Sequence, residues 1–562
     1  MLKHKAIRYI LFFFALLAAI SGNAASYAET SALNTGKWVK IKVEDTGIYQ
    51  ISAATLSGWG FSDISKVKIF GYGGAMISEI MGNGSIDALP QVPVMRSGNR
   101  ILFYAQSNVS WTETSGKIRF QQQQNPYATA GYYFITDRND IDVAEMQTTA
   151  KAEKASDKVI TNTLARIYHE KELTAPGTTG RTLLGEDFRS AGTQSFQFNL
   201  PGIVSNTDPV VKVAFAAYHT SGTARALTVT SGKQEVMKVS VSSLSGSNEY
   251  DICSTASSIG TVSYPGEKMT LQLSFSTGTA VRLANLDYIT VNYLRNLNLA
   301  DKQIDFRSFT ANCRDSVFAV SGINEKTAIW DVTTTYAPLK VDFLADNASA
   351  QFRQTENGKR EYVAFNTAAS FPTPSLVGNV SNQDIHAMTP PTMLIITPAA
   401  FRNQAQSLAA MHRANDGMAV TVLTDEQIYN EFSSGTPDAM AYRKVAKMWY
   451  DRTASANKYS NDKFRYLLLF GRAVFDNRRI TSTARNLGYP TLLTWESADI
   501  TSESSSFNTD DVYGFLEDAR ACAKCVSASD ASPLKARQKQ PRLCRKSATT
   551  SATPTWATGR RA

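Results

Sequence analysis

Thiols and imidazoles are the groups in this chain best suited to covalent or metal chemistry, and they are few. There are five cysteines and five histidines among 562 residues. Cys522 and Cys525 stand in a Cys-x-x-Cys spacing, with Cys544 beyond them. Three soft ligands fall one short of a structural zinc site, and no histidine follows to complete the set. A nucleophilic cysteine needs a neighbouring base to hold it as thiolate. The histidines are His4, His169, His219, His386 and His412, so none lies downstream of residue 412. His412 precedes Arg413 inside a helical pattern and reads as part of a solvated face. The triplet Asp45-Thr46-Gly47 has the composition of an aspartic-peptidase loop, but no second copy exists to form a carboxylate dyad; it reads as a hairpin turn. Cys253 and Cys313 could pair after export, although sequence alone does not bring two Cα atoms within bonding distance. These patterns assign no catalytic residue, no metal ligand and no cofactor.

The elements that would carry such groups divide near residue 388. Before it, period-two alternation recurs with turn residues every eight to twelve positions, as in "KWVKIKV", "GIYQIS", "RILFYAQ", "GYYFITD", "VVKVAFAAYHT" and "KMTLQLSFSTG". This spacing predicts sandwich- or barrel-like β domains, a β-rich domain over 26–150 and a sandwich-like region over 151–385. The glutamine run 121–124 reads as loop. After residue 388 the apolar run "MLIITP" predicts a buried parallel strand. A helix over 398–415 follows, with Phe401, Ala405, Leu408 and Met411 on one face and Gly417 at its end. "MAVTVLT" is the next strand, a short helix follows, and a second helix starts near Asp438 as N-cap. "FRYLLLFG" is the third strand, and "TDDVYG" opens a last one over 511–516. This β-α-β-α-β order predicts a mostly parallel, doubly wound sheet over 388–518, whose ligands sit at the carboxyl ends of the strands.

Composition bounds the partners. Lys and Arg number 58 against 49 Asp and Glu, a net of +9, yet residues 519–562 alone carry ten Lys or Arg and one Asp. The remainder is therefore neutral and gives no footing for a nucleic-acid partner. At the N-terminus, Lys3, Lys5 and Arg8 precede the apolar run Ile10–Ile20 and the small residues Ser21-Gly22-Asn23-Ala24. That pattern predicts a cleaved signal peptide over 1–24 and export to the periplasm or outer-membrane cell surface.

Several phrases resemble the gingipain-type cysteine peptidase family, in the branch that serves as sortase of the type IX secretion system of Bacteroidetes. "TGIYQIS", "ILFYAQ", "NPYATAGYYFIT" and "LDYITVNYLR" match its N-terminal β region. "LIITPAAFRNQAQSLAAMHRANDGMAVTVL", "YLLLFGRAVFDNRR" and "FNTDDVYGFLED" match the start of its peptidase domain. One departure is Arg472, where the family usually has Asp. The resemblance implies a caspase-like α/β domain, here incomplete, and a His–Cys pair that removes C-terminal secretion signals from exported cargo. It also implies type IX secretion components as partners and an amine on lipopolysaccharide as acceptor. No motif matches the family's His-Gly followed by a nucleophilic Cys, so no catalytic residue carries over. The alternative is a non-catalytic β-rich surface module that binds cargo or secretion machinery.

The tail from Ala519 is expected to be out of frame. Read in the neighbouring frame, Val526–Pro533 permits Arg-Ile-Gly-Val-Gly-Arg-Phe-Pro, and Thr553–Arg560 permits Asn-Thr-Asn-Leu-Gly-Asn-Trp-Lys. Both resemble family stretches at the corresponding places. The single Trp codon forces the Gly in the second.

Overall fold

The computed structural model describes residues 27–516, apart from 83–85, 150–157, 178–179, 221, 223, 277, 279, 309–315, 347, 355–357 and 457–459. The expected signal peptide with His4, the thiol of Cys313, and the tail with Cys522, Cys525 and Cys544 lie outside the described residues.

Alternating burial builds the first layers. Trp38–Val43 (β1) and Gly47–Ser52 (β2) are strands as expected, but the hairpin between them does not form. β2 pairs with Arg100–Ala105 (β3), while β1 belongs to another sheet. Asp45-Thr46-Gly47 is a corner between two stacked sheets, pinned where the Tyr49 hydroxyl accepts from the amides of Glu44 and Asp45 at 3.2 and 3.1 Å. The reason is burial. Val39, Ile41 and Val43 of β1 and Tyr49 and Ile51 of β2 face one shared core, which a flat hairpin would expose.

The glutamine run corrects the loop expectation. Phe120–Gln124 (β5) is a strand paired with Val109–Glu113 (β4). Its side chains replace water as hydrogen-bond partners: Gln121 donates to the Tyr288 hydroxyl and Gln122 to Glu170, both at 2.9 Å. Gly131–Thr136 (β6) returns to pair with β1.

The region after residue 151 holds two sandwiches. In the first, Asn162–His169 (β7), Val281–Asn296 (β8), Val210–His219 and Ser254–Thr261 form one antiparallel sheet. It covers a second sheet of Thr193–Asn199, Lys268–Phe275, Arg225–Ser231 and Gln234–Val241, with Phe196, Phe198, Val213, Phe215, Leu271 and Val291 between them. The second sandwich is built from residues 303–366 and the strand Lys158–Ile160, which pairs in parallel with Ser316–Ser321, and closes over Phe306, Phe318, Phe352 and Tyr362, whose ring centroids lie 5.1–6.2 Å apart. The chain then runs back, and Ser375–Val380 (β9) adds to the edge of β1.

The α/β unit follows. Met393–Thr397 (β10) lies between Val420–Thr424 (β11) and Tyr466–Leu469 (β12), all parallel. Arg402–Asp416 (α1) packs on one face, where Ile395, Val420 and Val422 meet Ala405 and Ala409. Asp425–Phe432 (α2) and Met440–Arg452 (α3) cover the other, where Leu394, Ile396 and Leu423 meet Ile428, Phe432 and Trp449. Helices on both faces are the doubly wound arrangement the strand pattern calls for. Gly417 ends α1 at φ 62°, the left-handed cap expected of it. Met411 is 59% exposed, so alanines and not the longer side chains make the buried stripe of α1. Ala439, not Asp438, is the N-cap of α3; Asp438 stands one residue earlier, its Oδ1 accepting from the Met440 amide at 2.8 Å. The strand expected over 511–516 is instead a 3-10 turn, Asp511–Gly514, which buries Val512 and Tyr513. Tyr513 donates to the Leu493 carbonyl at 3.2 Å, and its ring meets Tyr442 of α3 edge-on.

Candidate functional site

The carboxyl ends of parallel strands leave a crevice because the connections depart to opposite faces of the sheet. Here that place is an open cleft of about 550 Å³. Pro398, Ala399 and Ala400 line it from the end of β10, Asp425 and Tyr429 from the start of α2 beyond β11, and Asn477, Arg478 and Arg479 from the segment beyond β12. The loop before β6 forms the opposite wall with Tyr127, Ala128 and Thr129.

Local sequence explains each wall. Thr424 caps α2 in a reciprocal capping box: it accepts from the Gln427 amide at 3.3 Å, and its own amide donates to Gln427 Oε1 at 3.0 Å. The box places Asp425 in the first turn, with its carboxylate at the cleft. Burial raises the Asp425 carboxyl to about 6, against a weaker pull from Lys40. Lys40, 4.0 Å from Glu426, is lowered to about 8, burial outweighing Glu426 and Asp425. Tyr429 stays neutral at the cleft floor, stacked on Tyr442 with hydroxyls 2.5 Å apart.

The segment beyond β12 carries backbone strain. Asp476 and Arg479 adopt φ of 65° and 54°, conformations that cost a non-glycine residue about 1 kcal/mol or more. Side-chain bonds hold them there. Asp476 Oδ2 accepts from the Thr481 amide at 2.6 Å, and its amide donates to Glu496 Oε1 at 3.1 Å. Arg479 donates to the Tyr489 carbonyl and to Thr491 Oγ1, both at 3.0 Å. Arg478 forks onto Glu172. Arg472, the departure from the family pattern, lays its guanidinium over the Tyr489 ring at 5.2 Å. On the opposite wall the Tyr127 hydroxyl is buried and has no hydrogen-bond partner among the described residues, and burial raises its pKa well above the usual value.

Among the described residues, no cysteine or histidine lines this cleft. His386 is buried elsewhere: its Nδ1 lies 2.7 Å from Glu431 and its ring stacks on Phe432 at 4.7 Å. Its Nε2 is 3.4 Å from Asp87, an ion-pair distance without hydrogen-bond geometry. His169 contacts Glu186 at 2.9 Å, His219 is buried beside the Val241 carbonyl, and His412 bonds Asp416 at 2.7 Å on the exposed face of α1, as expected. Cys253 is a buried free thiol that donates to the Ile500 carbonyl at 3.3 Å. Burial pushes it up to about 12, far from the thiolate form. Among the described residues, no three His, Cys, Asp or Glu side chains converge as a metal-holding group. The cleft-lining residues do not appear among the candidates read from the sequence. Their signal was position, the first residues after each apolar strand, and not residue type. Chemically, the described walls supply recognition: neutral phenols, one high-pKa carboxyl and guanidinium groups.

The sequence of residues 386–561 matches the profile of peptidase family C25. That range runs through residues 519–561, the stretch expected to be out of frame. Among solved structures, dimeric latent PorU from Porphyromonas gingivalis superposes with a TM-score of 0.79 and 28% identity, over 88% of this chain and 47% of that one. The chain thus spans about half the length of the PorU chain it matches. Isomalto-dextranse from Arthrobacter globiformis T6 aligns at 13% identity over 47% of this chain and 36% of its own, with a TM-score of 0.16. Delta-endotoxin Cry8Ea1 from Bacillus thuringiensis does so at 13% over 44% and 53%, with a TM-score of 0.17. Scores so low carry no argument. No curated protein matches the chain. With its β-rich body, its three-stranded parallel sheet and a segment that matches peptidase family C25, the chain is similar to gingipain-type cysteine peptidases and has a PorU-like fold.

Proposed function

We propose that this chain is the front portion of a cysteine peptidase or transpeptidase of the type IX secretion sortase kind, which removes C-terminal secretion signals from exported cargo and passes the acyl group to an amine on lipopolysaccharide. Its 388–518 segment is then the opening part of a caspase-like domain. The observation that carries this reading is the cleft at the carboxyl ends of three parallel strands, in a chain whose β body and α/β unit superpose on PorU together. In such an enzyme a thiolate attacks the scissile carbonyl, forming an acyl-enzyme, and an imidazole protonates the leaving amine. The cleft described here would hold the peptide beside that pair. No histidine follows His412, and no His-Gly motif with a later Cys is present. As written, the chain is catalytically silent on this reading, because residues 519–562 come from the wrong frame.

Sequencing the locus tests this. The neighbouring frame beyond codon 518 is expected to run on and encode His-Gly and a later Cys. An intact frame through Ala562, with peptide masses covering 519–562 in the mature protein, would overturn it. The second reading, a non-catalytic surface module, is favoured by the two complete sandwiches across residues 158–366, which need no dyad. A stop in the neighbouring frame across independent clones would select it.

A further inference from the structure

A second cavity, of about 180 Å³, lies where the first sandwich, the β4–β5 ribbon and the segment beyond β12 meet. Three carboxylates converge on it: Glu170 and Glu172 from the chain just past β7, and Asp287 from the middle of β8. The available cations are committed. Arg478 forks onto Glu172, with Nη2 to Oε1 at 2.5 Å. Arg181 pairs with Glu79 at 2.6 Å. Lys212 donates to Gln121 at 2.7 Å and lies 5.5 Å from the Tyr288 ring. Glu170 accepts from Gln122, which accepts in turn from Thr290 at 2.5 Å. Asp287 has no hydrogen-bond or ion-pair partner among the described residues. The remaining polar groups facing the carboxylates are Gln124 and the hydroxyls of Tyr168 and Tyr288.

The cavity is more than local packing because of Arg478, which also lines the candidate cleft. Its fork on Glu172 ties the strained segment 476–479 to the sandwich, so the position of Arg478 in the cleft wall is coupled to the junction. Closing the junction takes two half-buried carboxyls largely out of water with no cation bonded to either; Lys212 pulls on Asp287 without contact and is outweighed by burial, so their neutral forms are favoured.

We infer that this junction is an acid-closed latch, in which protonated Glu170 and Asp287 hold the sandwich against the Arg478 wall of the cleft and their ionisation loosens it. Burial, with Glu172 adding to it, raises both carboxyls to about 7. In an opened junction they would return toward their ordinary values of 4.5 and 3.8. Closing therefore takes up protons. The latch is tightest below those ordinary values, weakens as pH rises to about 7, and stays level above it. This holds whether or not the chain is a peptidase.

Hydrogen exchange on the full chain tests the latch, followed by mass spectrometry from pH 5 to 8 with intrinsic rates divided out. Protection in peptides covering 168–172 and 472–481 should fall by up to about tenfold per pH unit for each titrating carboxyl up to pH 7, then level off. A peptide covering β10 should not follow. Glu170→Gln with Asp287→Asn should abolish the slope, and Asp287→Asn alone should reduce it should the double variant not fold. A flat wild-type profile between pH 5 and 7, or a slope surviving in the variants, overturns the proposal.

Discussion

Glu431 shows how single residues in this fold trade burial for bonds. It is fully buried on α2, yet it accepts from the Ile385 amide at 2.8 Å, from Gln383 at 2.8 Å and from His386 at 2.7 Å. Removing one partner of a buried pair strands the other, at a cost of about 3 kcal/mol or more. Glu431→Gln is therefore expected to destabilise the chain by about that amount in a urea titration. The same pair fixes a pH dependence. Burial opposes the charged imidazole, but Glu431 and Asp87 outweigh it and raise His386 from 6.5 to about 9. A raised histidine stabilises the fold fully below its unfolded value, so this contribution should be lost as pH climbs from 6.5 to about 9. His386→Gln should flatten the stability profile across that window. Neither partner was legible in the sequence: His386 stood there as an unassigned imidazole, and Glu431 is distinguished only by the segment 383–386 folding back over α2.

At the scale of elements, legibility followed how local each cause is. Gly417 was readable as a cap, and the start of α3 to within a residue of Asp438, because a helix end is decided within a few residues. The three parallel strands were readable because each is a short apolar run bounded by turn residues. Thr424 belongs with them: Thr424→Ala, which deletes its cap of α2, should cost about 1 kcal/mol, measured by thermal melting, and should loosen Asp425 at the cleft. Elements whose causes are distant misled. The run Gln121–Gln124 is a strand only because Glu170, Tyr288 and Thr290 wait for its amides. β1 and β2 part at residues 45–47 because their apolar faces are needed on two sheets. α3 buries every residue from Met440 to Trp449, including Arg443 and Lys444. Those charges are met by the carbonyls of Phe515 and Phe432 at 2.8 Å, partners no helical periodicity announces.

For the molecule as a whole, the β-rich front and α/β rear were legible as a change in hydrophobic period near residue 388. The number of sandwiches was not, since β9 closes on β1 across more than three hundred residues of sequence. The parallel sheet is narrow: β12 pairs with β10 alone among the described strands. A parallel edge left unpaired among the described strands, beside half-buried leucines, is prone to association, and the weight-average mass of the purified chain from light scattering should rise with concentration. A peptide carrying the C-terminal secretion signal of an exported cargo protein should be incubated with the purified chain, with and without a thiol alkylator, and the products weighed. The account predicts no cleavage above buffer in either arm. Cleavage that the alkylator abolishes would contradict it.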